Sequence, residues 1–445
     1  SQSLFYPSSE RLVMSCHTAT HWNRRTVIQA AGASWLTSLA SGLTNAQETA
    51  RDTKHPPKNV IVLWMQGGPS QRDTFDPASA VSQEFSGGVQ SIKTAAKDIE
   101  IASTLPMVAE QFEHLSVIRS VVSREGDHAR GVYNIKTGFR PDPTLVHPSL
   151  GAVVCHQLPS ESDIPRHISI LASNRPGRGG YLGDAFDAFQ IGDPLRPIPD
   201  VRSRVNQTRQ DARSRDLFDV VELEFAAGRF KNLDDSKTLH QLSIKRAMRM
   251  MSSEQLRAFS VEDASRTDLD RYGNTSFGRS CLVATQLVQA GVRCVEVTLG
   301  GWDTHINNTE AQRDRIRILD PAMAAMMADL KASGLLENTI VIWAGEFGRT
   351  PQLNGASGRD HWPHGFSVVM GGGGIRGGQV VGETNKTPDI RAENKTRDVV
   401  NPVTIADIHA TVLKALSIDY QQELQTPIGR PMAISKGTPI DQLVG

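Results

Sequence analysis

Residues Val60–Met65 read Val-Ile-Val-Leu-Trp-Met, an unbroken apolar run set between Pro56-Pro57 and Gly67-Gly68. A continuous apolar run closed off by turn residues fits a strand covered on both faces, as in a parallel sheet. Five further segments carry strand signals: Leu115–Val122, His167–Leu171, Arg293–Leu299, Thr339–Ala344 and Phe366–Met370. Helical patterns lie between them, over Ala129–Lys136, Pro148–Gln157, Leu217–Phe230, Lys237–Met251, Thr275–Ala290, Glu310–Ala332 and Thr404–Leu416. Gly291 and Gly334 supply helix stops, and Thr404 is a favourable N-cap. Strands alternating with helices predict an α/β fold, a three-layer sandwich around a mostly parallel central sheet. No internal repeat is present. Asp193–Ala258 is rich in arginine and aspartate and poor in strand signals, and reads as a helical insertion near 193–258.

The balance of the chain sets outer bounds on function. Of 445 residues, 39% are hydrophobic and 22% charged, which is globular composition with material for a large core. Lysine plus arginine equals aspartate plus glutamate at 48 each, which argues against nucleic acid or an anionic membrane as the main partner. The four cysteines, Cys16, Cys155, Cys281 and Cys294, show no Cys-x-x-Cys spacing. Cys281 and Cys294 read as buried free thiols in preference to a disulfide. Near the start, Arg24 and Arg25 precede a mildly apolar stretch, Thr26–Leu43, and small residues up to Ala46. This pattern fits a twin-arginine export leader over residues 1–46, with Met14 as a natural start, a linker over 47–58 and the mature domain over 59–445. It places the protein in the periplasm or cell envelope, touching the membrane only through its leader.

In open α/β sheets ligands bind beyond the carboxyl ends of the strands. The segments after four of the strands are polar there. Val60–Met65 leads into Gln66, Ser70, Asp73 and Asp76, and Leu115–Val122 leads into Asp127, His128 and Arg130. Arg293–Leu299 leads into Asp303 and His305. Thr339–Ala344 leads into GEFGRTPQLNGASGRDHWPHG, which holds Glu346, Arg349, Asp360 and His361. One such loop would read as an ordinary polar turn. Four converging on one sheet edge point to a site for divalent metal, since aspartate, glutamate and histidine suit Zn, Mn or Mg more than a thiolate-seeking ion. Metal and arginine together could clamp a phosphate or sulfate. No Gly-x-Ser-x-Gly elbow appears, and Gly371–Gly374 lacks the Gly-Lys-Ser/Thr of a nucleotide loop.

The stretches WMQGGPSQRDTFDP, GGWDTHINN, AGEFGRTP, GRDHWPHGFSVVMGGGG and TIADIHATVLKAL resemble an exported bacterial family of unknown function within the alkaline phosphatase and sulfatase superfamily. The resemblance covers the mature chain. It implies an alkaline phosphatase-like sheet with a metal site at its carboxyl edge, holding one or two ions of Zn, Mn, Mg or Ca. It implies metal ligands at Asp303, His305, Glu346 and His361; Asp360, in the same loop, is expected to join them, and Asp73 is expected either to replace the superfamily aspartate or to leave that metal position lost, with a small-molecule or polysaccharide ester as substrate. The superfamily's first metal aspartate falls at Gln66, and its hydroxyl or thiol nucleophile falls at His128, ahead of a helix ending at Thr137-Gly138. His128 is open to three roles: nucleophile, ligand or acid-base group. Arg349 or Arg130 is expected to hold the oxyanion. The implied function is hydrolysis of phosphate or sulfate esters by a rewritten site. The alternative is a binding or structural envelope protein on the same fold. A hydroxyl from Ser70 or Ser123 reaching the site would favour a side-chain nucleophile. A site of carboxylate and imidazole alone would favour water.

Overall fold

The structure, a computed structural model, describes residues 58–159, 162–172, 175–198 and 247–444, together with 209 and 212. The expected leader, nearly all of the linker, the helix over Leu217–Phe230 and most of the insertion lie outside the described residues. So does Cys16. Of the helix expected over Lys237–Met251, only the turns at 247–252 are described, and they are helical.

The strands that matter are β1 (Asn59–Met65), β2 (Leu115–Val122), β3 (His167–Ile170), β4 (Phe189–Ile191), β5 (Cys294–Leu299), β6 (Thr339–Ala344), β7 (His364–Gly371), β8 (Val380–Val381) and β9 (Val403–Thr404). The helices are α1 (His128–Thr137), α2 (Leu150–Gln157), α3 (Ser276–Gln289), α4 (Asn308–Ala332) and α5 (Ile405–Ala415). The strands form one nine-stranded sheet in the order β8-β2-β7-β6-β1-β5-β3-β4, with β9 also beside β2. β1 runs parallel to β5 and β6, and β3 runs parallel to β5 and β4. β7 alone is antiparallel, to β2 on one side and β6 on the other.

β1 shows why its sequence is wholly apolar. Ile61, Leu63 and Met65 face the core shared with α3 and α4. Val60 and Trp64 face the core shared with α1, α2 and α5. Both faces are covered, so the period-two alternation of a half-exposed strand never arises. Helices on both faces make the fold a three-layer α/β sandwich. Local signals close the helices: Asp127 caps α1 by accepting the Arg130 N–H at 3.1 Å, and Gly138 ends α1 at φ 78°. Thr404 and Asp407 form a reciprocal capping box on α5.

Cys155, Cys281 and Cys294 are buried free thiols, and burial pushes the Cys155 thiol up to about 12. Among the described residues no helix is long and apolar enough to cross a membrane.

Candidate metal centre

Strands β1, β2, β5 and β6 share one direction, so the segments that follow them meet at one edge. The antiparallel β7 starts at that same edge, with His364 paired to Val122 at the end of β2. The residues just before β7 are thereby delivered to the carboxyl ends of its neighbours. A two-residue ladder tightens this, pairing Gly348–Arg349 with His361–Trp362 and setting His361 opposite Arg349. The β1 turn has to pass very close to the β5 loop. Gly67 adopts φ +116°, and a Cβ there would lie 2.5 Å from the Asp303 backbone nitrogen, so only glycine fits.

Three imidazoles surround the Asp303 carboxylate. His128 Nε2 lies 3.2 Å from Oδ2. His305 Nε2 lies 3.1 Å and His361 Nε2 3.3 Å from Oδ1. His305 Nε2 and His361 Nε2 are 3.1 Å apart. Each ring is held from behind by an oxygen. His128 Nδ1 is 2.8 Å from Glu346 Oε1, His305 Nδ1 is 2.8 Å from Asp360 Oδ1, and His361 Nδ1 is 2.8 Å from the Gly126 carbonyl. Carboxylates and carbonyls accept only, so each Nδ1 carries the proton and donates it. Each Nε2 then faces Asp303.

That arrangement has the donor types and spacing of a candidate metal-ligand set. Two imidazole lone pairs facing each other at 3.1 Å repel unless a proton or a cation lies between them. Donors bonded to one tetrahedral zinc at its usual bond lengths stand about 3.3 Å apart, close to the spacing here. An imidazole whose second nitrogen donates to a carboxylate or carbonyl is the usual form of a metal-binding histidine. His128, Asp303 and His361 each offer an atom within 4.8 Å of the others.

Charge follows the same geometry. Burial works to raise the Asp303 carboxyl, but the Arg349 hydrogen bond and charge, with His128 nearby, hold it at about 2. The hydrogen bond to Glu346 raises His128 against the opposing effect of burial. Burial lowers His361. Glu346 is 1% exposed; its Oε1 also accepts the Gly67 N–H at 2.9 Å, and its Oε2 is buried without a partner.

Several expected residues sit elsewhere or act differently. Asp73 is buried, accepting from Asn308 Nδ2 at 2.8 Å and lying 3.4 Å from Arg359 Nε; it is outside the histidine cluster and braces the β1 loop against α4. Arg130 is bidentate on Glu125, at 2.6 and 3.2 Å, in place of facing an oxyanion. Arg349 is fully buried and engages all its nitrogens: Nε donates to the Gly68 carbonyl, Nη1 to the Arg359 carbonyl, and Nη2 to the Gly67 carbonyl and to Asp303 Oδ1 at 2.5 Å. It fixes Asp303. Glu346 and Asp360 stand behind histidines. Ser70 is buried with its Oγ unpartnered, and Ser123 Oγ donates to Asn134 Oδ1 at 3.0 Å.

The sequence reading missed the supports. Phe347 packs against the His128 and His361 rings, at 5.0 and 4.3 Å between centroids. Gly131 lets α1 approach this loop, since a Cβ there would lie 3.2 Å from both Glu346 Cβ and Phe347. Asn308 and Gln312, one helical turn apart on α4, lock the loop around Asp303. Asn308 Oδ1 accepts from Thr304 Oγ1 at 2.7 Å, and Gln312 Nε2 donates to the Trp302 carbonyl at 3.2 Å. Two amides spaced by four on an otherwise amphipathic helix were the available signal.

A comparison with curated proteins finds no match. Among solved structures, the chain is similar to the alkaline phosphatase of the Antarctic bacterium TAB5, at 13% identity and a TM-score of 0.35 over 82% of this chain and 98% of that one. It is also similar to the PsFucS1 sulfatase from Pseudoalteromonas sp., at 14% identity and a TM-score of 0.37 over 88% and 71%. A third is the lipoteichoic acid synthase LtaP from Listeria monocytogenes, at 11% identity and a TM-score of 0.35 over 87% and 76%. Likenesses this distant bear on neither substrate nor reaction. Residues 57–444 match a family described as a protein of unknown function, DUF1501, and the chain belongs to that family.

Proposed function

We propose that this protein is a metal-dependent hydrolase of phosphate or sulfate esters, working in the cell envelope with one divalent ion at the Asp303 centre. The observation that carries this reading is the convergence of three Nδ1-anchored imidazoles on one carboxylate. His128, His305, His361 and Asp303 would hold the ion. Three nitrogens and one oxygen suit Zn or Mn better than Mg or Ca. When bound, such an ion supplies Lewis-acid polarisation of an ester oxygen and acidifies water. Glu346, Asp360 and the Gly126 carbonyl fix the rings, and Arg349 fixes Asp303. The side chains in contact around Asp303 are His128, His305, His361 and Arg349, a set that leaves water as the nucleophile. Export through a twin-arginine leader over 1–46, a linker over 47–58 and a helical insertion near 193–258 belong to the same proposal.

A second reading is favoured by one observation. Arg130 and Arg349, the arginines expected to hold an oxyanion, are both engaged inside the protein. A binding protein with a single metal would need neither. Elemental mass spectrometry of the chelator-free protein, followed by a screen of aryl and sugar phosphates and sulfates, separates the two. About one equivalent of metal with ester turnover supports the hydrolase. Bound metal without turnover of any ester favours the binding protein. No bound metal, even after reloading with Zn or Mn, removes both.

A further inference from the structure

The hydrolase reading leaves the anionic oxygens of the substrate without either arginine expected to hold them, because Arg130 and Arg349 are paired within the protein. We infer that Arg315 fills this place: it is the specificity-determining residue that receives the substrate's phosphate or sulfate oxygens beside the Asp303 centre. This inference rests on the hydrolase reading and adds a residue to it.

Three arginines follow one another on α4 at alternate positions. Arg313 pairs with Glu310 at 2.6 Å and Arg317 with Asp314 at 3.0 Å, both within the helix. Arg315, between them, is half-buried and has no hydrogen bond or ion pair among the described residues. Its five N–H donors are left for a ligand to meet.

Its position is specific. Asn308, Gln312 and Arg315 share one face of α4, spaced by four and three residues. The first two hydrogen-bond to the Trp302–Thr304 loop. Arg315 lies along the same loop at Gly301, two residues before Asp303: a Cβ at Gly301 would meet Arg315 Cδ at 3.1 Å, Nη1 at 3.3 Å and Nε at 3.6 Å. The bare glycine gives the flat guanidinium a bed on the exposed side of the loop. Its planar fork suits the oxygens of a phosphate or sulfate.

The test uses the full chain loaded with Zn and two probes, inorganic phosphate and inorganic sulfate, titrated by calorimetry. R315M keeps the apolar stem over Gly301 and removes the charge; R315K keeps the charge and loses the fork. The expected result is about tenfold to hundredfold weaker anion binding by R315M, a smaller loss in R315K, and unchanged Zn content in both. KM for a phosphate or sulfate ester should rise in R315M, while affinity for a neutral carboxylic ester stays level. Anion binding by R315M equal to wild type overturns this assignment alone. Loss of Zn from R315M also overturns it, because that marks a packing role. No anion binding by the wild-type Zn form overturns both this assignment and the hydrolase reading.

Discussion

Replacing Asp360 with alanine tests the metal centre with little disturbance of the fold. The Asp360 side chain is 55% exposed, and its main partner is His305 Nδ1 at 2.8 Å. The backbone bonds that anchor the residue, from Thr350 N to the Asp360 carbonyl and from Asp360 N to Thr350 Oγ1, stay in place. The variant therefore loses the acceptor that sets the His305 ring and tautomer, and little else. Removing such a partner typically weakens metal binding about tenfold to hundredfold. At a free metal concentration about 100 times the wild-type Kd, binding adds about 2.7 kcal/mol to wild-type stability. With a hundredfold weaker site the addition falls to about 0.4 kcal/mol, so the metal-dependent increment should shrink by about 2 kcal/mol. Urea denaturation with Zn and with chelator reads this increment directly, and the chelated forms should match. An increment in Asp360→Ala equal to wild type would refute the reasoning, and so would a wild type indifferent to chelator. His361→Ala removes a ligand outright and should abolish bound metal; unchanged metal content there would take His361 out of the centre.

Three further outcomes follow from the interior. Lys136 and Glu296 form an ion pair at 2.9 Å with side chains 10% and 5% exposed, so Lys136→Met should cost about 3–5 kcal/mol by leaving a buried carboxylate without its cation. Adding Glu296→Gln should recover much of that in urea unfolding; a single variant within about 1 kcal/mol of wild type would show the pair to be unimportant. Leu63→Ala, in the fully covered β1, should cost about 2–5 kcal/mol, and a loss near zero would contradict burial on both faces. His409 is buried, and burial pushes its pKa down to about 4 despite the hydrogen bond to the Ile135 carbonyl. Folded His409 is neutral where the unfolded chain already binds a proton. Its contribution is therefore complete above pH 6.5 and is lost as pH falls toward 4, up to about 3 kcal/mol. His409→Gln should flatten that window, and equal loss in variant and wild type between pH 7 and 4.5 would assign the acid sensitivity elsewhere.

The strands were legible because their two-sided burial leaves a continuous apolar signature, and the helix ends because caps are local. Thr137-Gly138 marks the end of α1 in sequence and in structure. The polar strand-end loops do meet at one sheet edge. What each side chain does there was not legible, because the deciding partners are remote in sequence: Glu346 and His128 are 218 residues apart. Asp73 and Asp303 look alike as loop aspartates. One faces Asn308 and Arg359, the other faces three imidazoles, and only the packing of α4 separates them. Arg349 reads as a ready cation until the carbonyls of Gly67 and Gly68 are seen around it. The Gly126 carbonyl could not have been found, since backbone acceptors leave no mark in a sequence.

The strand order carries a consequence for where the ion is acquired. β1, first in the chain, sits between β5 and β6, which come more than two hundred residues later by register partners such as Val60 with Cys294 and Val60 with Ile340. Contacts this distant form late and slowly in folding. Asp303, His305 and His361 lie within 58 residues of one another in the second half of the chain, whereas His128 comes from the first, so the four meet only when both halves have paired. On the metal-dependent reading, an ion held by all four would bind only to a finished sheet. The twin-arginine route exports folded proteins, so under the export proposal the sheet would be finished in the cytoplasm, and the metal pool of that compartment, not that of the envelope, would decide which ion the centre carries.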